Sequence, residues 1–124
     1  MLGKSLDDNS PLFLQIKDWI EDQIINGAFA ADEQIPSTTQ IVQFHKINHI
    51  TASKGVNLLV DEGILYKKRG IGIFVSKGAR NMLIEKRRQK FLTQYLKPMV
   101  AEARKLGIDI QTLIEMMKEI NDDE

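Results

Sequence analysis

The chain contains no cysteine, which removes a disulfide framework and any cysteine-based zinc site and makes a reducing compartment the natural setting. It has no run approaching the roughly eighteen consecutive apolar residues of a membrane span, and its opening, MLGKSLDDNS, lacks the apolar core of a signal peptide. A soluble, cytoplasmic protein with no membrane partner is expected. Charge of one sign is not in excess either: 17 Lys+Arg balance 17 Asp+Glu. That excludes a generally basic nucleic-acid coat, so any affinity for a polyanion must come from where the charges stand.

What is present suits one compact domain plus an appendage, with 124 residues of which 43% are hydrophobic. The expected division is 10–77 and 78–124. Acids lie early, at Asp18, Glu21, Asp22, Asp32 and Glu33. Bases gather in the middle, at Lys46, Lys54, Lys67, Lys68 and Arg69, and NDDE closes the chain.

The middle segment is organised around Asn48 to Gly63, NHITASKGVNLLVDEG. Asn48 is a good helix N-cap and Gly63 a good stop. Ala52, Val56, Leu59 and Val60 recur three and four apart and should be buried on one face. The other face carries His49, Ser53, Lys54 and Asn57, groups that can donate and accept toward base edges or phosphates. Acids arrive only at its end, with Asp61 and Glu62, as a helix lying near phosphates requires.

Upstream, residues 1–9 are polar and expected to fray. Ser10 before Pro11 predicts a helix start, with Ser as cap and Pro in the first turn. Leu12, Ile16, Trp19, Ile20 and Ile24 then form an apolar stripe that Gly27 ends, giving a helix from about Pro11 to Asn26. Phe29 and Ile35 should tuck under the helices. Ser37 and Gln40 have capping-box spacing, predicting a short helix to about His45 with Ile41, Val42 and Phe44 as its apolar side. Lys46-Ile47-Asn48 turns into the central helix, which makes a helix-turn-helix. A plain three-helix bundle is the alternative that patterning alone leaves open. Downstream, Ile64–Lys68 and Ile73–Val75 read as two strands around Arg69-Gly70-Ile71-Gly72. A basic hairpin in that place is a wing, whose tip can follow phosphates or enter a minor groove.

The run from Pro11 to Val75 resembles the winged-helix domain of the GntR family of bacterial transcription regulators. The likeness rests on Pro-Leu-Phe-x-Gln-Ile at 11 to 16, Gly27 with Phe29, Ile-Pro-Ser at 35 to 37, Thr51, Glu62-Gly63-Ile64, and Arg-Gly-x-Gly-x-Phe-Val at 69 to 75. The sequence departs from that pattern at Thr39, Asn48, His49, Ser53 and Ile73. Most of these changes remove phosphate or base donors, implying weaker binding or a different operator. The resemblance implies a mainly α fold with a small β-hairpin: a winged helix-turn-helix domain followed by a short C-terminal helical dimerisation hairpin. The function it implies is a homodimeric regulator, a repressor, on a double-stranded DNA operator of inverted-repeat form. For the groove the residues are His49, Thr51, Ser53, Lys54 and Asn57. For the backbone they are Ser37, Thr38, Thr39, Lys67, Lys68, Arg69, Gly70 and Gly72.

The last third should be helical from Ala79 to Leu106, with Gly107 as stop, a kink or break between about Gln94 and Pro98, and a last helix capped by Asp109. Its stripes call for a second copy as partner: Phe91, Leu92, Tyr95, Leu96, Met99, Val100, Leu113 and Met117 are the expected dimer contacts. A tail this short resembles the YtrA subfamily, whose C-terminal part is a dimerising helical pair. It gives no room for a large ligand-binding domain, and a small-molecule effector of unknown identity stays open.

The remaining signals are weaker. His45 and His49 straddle the predicted turn with no carboxylate beside them, so no metal is expected; His45 reads as a surface residue. The Arg69–Gly72 loop lacks the Lys-Ser/Thr of a nucleotide site. Lys86-Arg87-Arg88-Gln89-Lys90 reads as a solvated helix face, with a phosphate-facing role as the alternative. No nucleophile beside a His–acid pair and no paired carboxylates are apparent, so neither an enzyme nor a cofactor is expected. Two rivals stand beside the operator-binding regulator. One is a winged-helix protein–protein interaction module without DNA binding. The other, RNA binding, is disfavoured because Tyr66 is the only aromatic near the polar face.

Overall fold

The computed structural model describes residues 10–122; the expected fraying of residues 1–9 lies outside them. The chain forms two compact units, one ending at Glu85 and the other beginning at Lys86. The division falls inside a helix, beyond the boundary expected at residue 77.

In the first unit, α1 (Leu12–Ile25), α2 (Thr38–His45) and α3 (His49–Asp61) precede a hairpin of β1 (Leu65–Lys68) and β2 (Gly72–Val75), and α4 (Ala79–Phe91) follows. Pro11, not Ser10, takes the N-cap position of α1. Its carbonyl accepts from the Leu14 and Gln15 amides, and the Gln15 side chain reaches back to the Ser10 carbonyl. A side-chain cap is thus replaced by a side-chain clamp. The capping box at Ser37 forms as the spacing predicts: the Gln40 amide donates to Ser37 Oγ at 3.1 Å and the Ser37 amide to Gln40 Oε1 at 2.8 Å. Lys46 ends α2 in the left-handed conformation. Asn48 Oδ1 accepts from the Thr51 amide at 2.7 Å, so α3 starts where the sequence says. At its end the Gly63 amide bonds the Val60 carbonyl and the Ile64 amide the Leu59 carbonyl, the paired bonds of a Schellman stop.

Ile16, Ile20, Ile24, Ile35, Ile41, Ala52, Val56, Leu59, Ile64, Leu65, Val75 and Leu83 fill one core. Phe29 and Val60 pack at its margin. Leu12 is exposed, and so is Phe44, at 73%; of the three apolar residues expected to face inward from α2, only Ile41 and Val42 do. Phe44 instead lies over Trp19, their ring centroids 6.0 Å apart.

Two features of α1 place α3, and neither was read from the sequence. A Cβ added at Gly55 would stand 2.7 Å from the Phe13 carbonyl oxygen and 3.2 Å from Ile16 Cβ, so glycine is what lets the two backbones approach. Near the far end Lys17, buried, pairs with Glu21 at 3.0 Å and reaches Glu62, just past α3, at 3.3 Å. Burying charge is costly unless it is paired, and these contacts fix how far along α1 the end of α3 sits.

The hairpin is antiparallel, with Leu65 opposite Val75 and Lys68 opposite Gly72. The segment 32–35 adds a third, short edge to it: Asp32 and Ile35 donate to the Val75 and Ile73 carbonyls, and Val75 donates to Glu33. At Gly72 an added Cβ would fall 2.3 Å from Gln34 Nε2, the group that holds the Ile71 carbonyl at 3.1 Å.

In the second unit the helix does not break at Pro98. A π-helical turn, Leu92–Leu96, joins α4 to α5 (Lys97–Lys105), and the Lys97 amide donates to the Leu92 carbonyl. Proline clashes with the carbonyl four residues back, here Gln94; widening one turn relieves the clash with the residues on both sides kept helical. Gly107 stops α5, and Asp109 caps α6 (Ile110–Asp122) through the Thr112 amide at 2.8 Å. Hydrogen bonds from Thr112 hold the Asp109 carboxyl below its usual pKa. Leu113 is buried in the single chain.

Gly55→Ala tests the helix contact. Overpacking against a backbone oxygen costs about 1–3 kcal/mol, against roughly 1 kcal/mol gained in helix propensity. Urea unfolding should show a net loss of up to about 2 kcal/mol; a raised midpoint would mean that α1 and α3 have room to part.

Candidate nucleic-acid interface

The outward side of α3 carries His49, Ile50, Ser53, Lys54, Asn57, Leu58 and Asp61 along one continuous open surface. His49, Lys54 and Asn57 are exposed, while Thr51 and Ser53 are half-buried. Three of these side chains are held in place. Ser53 Oγ lies 3.3 Å from His49 Nδ1, which turns the His49 Nε2 edge away from Ser53. Lys54 Nζ sits 3.9 Å from the centre of the Phe13 ring, a cation–π contact to α1. Lys67 Nζ donates to Asn57 Oδ1 at 2.6 Å, tying the wing to the helix.

The wing holds its own cations in a similar way. Lys68 Nζ stands 4.7 Å from the centre of the Phe74 ring. Across the strands Tyr66 stacks on Phe74, and its hydroxyl donates to Asp32 at 2.9 Å. That hydrogen bond, then desolvation and the negative charge of Asp32, raise the Tyr66 pKa above its usual value. Lys67, Lys68, Arg69 and Gly70 are exposed, and Gly72 is half-buried beside Gln34. Ser37 and Thr39 are exposed and Thr38 half-buried at the start of α2, where the Ser37 oxygen is occupied as a cap.

The sequence reading missed Ile50, which is 81% exposed in the first turn of α3. It also misplaced His45. That ring packs edge-on against Trp19, with centroids 4.6 Å apart, and against Phe44 at 4.8 Å. Its Nε2 is shut off from solvent and, among the described residues, has no hydrogen-bond partner. The aromatic neighbours carry the signal that could have shown this: Trp19 and Phe44 need something between α1 and α2 to lie against.

The family model for gntR-family bacterial regulatory proteins matches residues 12–75. The chain belongs to that family. Along 115 residues it is 27% identical to the HTH-type transcriptional repressor YtrA of Bacillus subtilis, covering 93% of this chain and 88% of that one. Over 53% of its length, and 80% of the other chain, this GntR-family protein superposes on the AraR DNA-binding domain solved in complex with operator ORR3, at 32% identity and a TM-score of 0.52. A GntR-family transcriptional regulator from Listeria monocytogenes shares the fold, with a TM-score of 0.74 over 92% of this chain and 98% of that one at 24% identity. Among the described residues no helix is long and apolar enough to cross a membrane.

Burial lowers the His45 pKa below the ordinary histidine value of 6.5. The unfolded chain therefore binds the proton more readily than the folded one, and stability that is full above pH 6.5 falls as pH drops from there toward the folded-state value. Denaturant midpoints measured across that window should decline for the native chain and decline less for His45→Phe. Parallel curves would show that His45 is not the group responsible.

Proposed function

We propose that the protein is a sequence-specific regulator, a repressor, that binds an inverted-repeat DNA operator as a homodimer. The observation that carries this reading is the outward side of α3, where His49, Ser53, Lys54 and Asn57 stand around the exposed Ile50, braced from behind by α1 and tied at its flank to a basic wing by Lys67 and Asn57. In a duplex that side lies in the major groove, with His49, Thr51, Ser53, Lys54 and Asn57 toward the bases. The wing residues Lys67, Lys68, Arg69, Gly70 and Gly72 lie along the flanking backbone. The Ser37 oxygen is used as a cap, but its hydroxyl proton can donate to a phosphate, beside Thr38 and Thr39.

The operator-bound AraR domain supports the mode of binding, and the near full-length likeness to YtrA supports the repressor reading and a YtrA-like tail. In the tail Phe91, Leu92, Tyr95 and Met117 are exposed large apolar side chains, and Leu96, Met99 and Val100 are half-buried. A second copy covers them. Two-fold symmetry then sets half-sites about one helical turn apart, roughly 34–36 Å, or a multiple of it. A cytoplasmic setting follows from this function, and a small-molecule effector is compatible with it.

Titrations on selected and random duplexes separate the roles. Lys68→Ala should weaken binding to all sequences and reduce the salt slope by about one, whereas Asn57→Ala should relax preference at one base pair by about 1–3 kcal/mol. Equal effects of both on both kinds of DNA would refute the assignment. A chain with no salt-dependent affinity for duplex DNA would favour the protein-interaction module.

Sedimentation equilibrium should return twice the 14.1 kDa chain mass. Tyr95→Glu, charging an exposed position of the tail, should give the single-chain mass and a much weaker hold on the full operator with helical content unchanged. A native chain that sediments at one mass on its own would remove the tail from the mechanism.

A further inference from the structure

The exposed Ile50 is the feature of α3 that the reading above leaves unused. Helical residues advance by about 100°, so Leu59 stands about half a turn round from Ile50 and Ala52 nearly so. Both are fully buried. Ile50 therefore occupies the centre of the outward side, at the end of the helix that leads into a groove, and 81% of its surface is open. The side chains around it are occupied within the fold. Asn48 is spent on capping, Ser53 lies against His49, Lys54 is drawn over Phe13, and Asn57 is held by Lys67. Nothing in the core needs a β-branched residue at this position, and such residues form helix less readily than Ala or Lys.

The major groove of a duplex offers one apolar group, the C5-methyl of thymine. Resting on the proposed groove placement, we infer that Ile50 selects a thymine in each half-site by packing against that methyl, with the His49 and Thr51 side chains reading polar edges on either side of it. Such a contact is sensitive to a single carbon atom. Burial of one methyl-sized group is worth about a fourfold change in affinity, and it carries no salt dependence, because no counterion is released.

The test uses the full chain and an operator obtained by selection from random duplexes. Each thymine of the half-sites is replaced in turn, symmetrically, by deoxyuridine, which keeps every hydrogen-bonding group and lacks only the methyl. The native chain should lose about fourfold per half-site at one position and little elsewhere. Ile50→Ala should bind the thymine and uracil versions of that position equally, with an unchanged salt slope; as an exposed residue it can be replaced without loss of fold, which a thermal melt confirms. Half-sites without thymine, a native chain indifferent to every replacement, or an Ile50→Ala chain that keeps the native sensitivity would each overturn the inference and leave operator binding standing. If selection enriches no sequence at all, the operator reading fails as well, and Ile50 belongs to a protein-facing surface.

Discussion

The close approach of α1 and α3 at Gly55 is the constraint on which the outward face of α3 depends. A backbone carbonyl, Phe13 O, lies where any side chain would put its Cβ, so the spacing of the two helices is set by backbone against backbone and not by compressible side chains. Phe13 is thereby carried to the edge of α3, where its ring face receives Lys54. Lys17, buried between Glu21 and Glu62, holds the other end of the same pair of helices. Removing one partner of such a buried group leaves the others uncompensated, which is far more costly than never having had the charge.

A chain with no net charge can present a basic surface only by controlling where its cations point. In this fold it does so with aromatic rings and amides. Lys54 lies over Phe13, Lys68 over Phe74, and Lys67 on Asn57, and Tyr66 fastens the strand beneath them to Asp32. A lysine otherwise samples many rotamers, and ordering it on binding opposes affinity. Contacts of this strength, about 0.5–1 kcal/mol at exposed sites, bias the side chain without fixing it, so it can still move to a phosphate.

Much of the fold could be read from local chemistry. The caps at Ser37 and Asn48, the stops at Gly63 and Gly107, the cap at Asp109 and the glycine-rich hairpin all depend on residues adjacent in the chain. What escaped depends on partners distant in sequence. Gly55 carries no local signal of its packing against Phe13, and Lys17 none of its contact with Glu62 just past α3. His45 reads as a surface residue until Trp19 and Phe44 close around it. At Pro98 the kink or break expected between about Gln94 and Pro98 takes the form of a wider, π-helical turn at Leu92–Leu96, without a break. For the candidate site, polarity picked out the outward face of α3, and the same criterion passed over Ile50, because an apolar residue carries no polar signal.

The size of the α3 surface bears on why the proposed regulator would act as two copies. One copy of α3 offers a few side chains to a groove, and each base pair read correctly is worth about 1–3 kcal/mol. A handful of such contacts does not reach the roughly 4–10 kcal/mol that separates specific from non-specific binding. Two copies linked by their tails, as proposed, would double the number of base pairs read and make the second encounter intramolecular, so that modest half-site affinities would multiply. Such a link must keep a set length. A helix that accommodates its proline by a π-turn stays hydrogen-bonded on both sides, while the wider turn shifts its side-chain register. The exposed Phe91, Leu92 and Tyr95 fall on or beside that turn, so the same local widening that absorbs Pro98 also sets the angular position of the apolar residues that a second copy would cover.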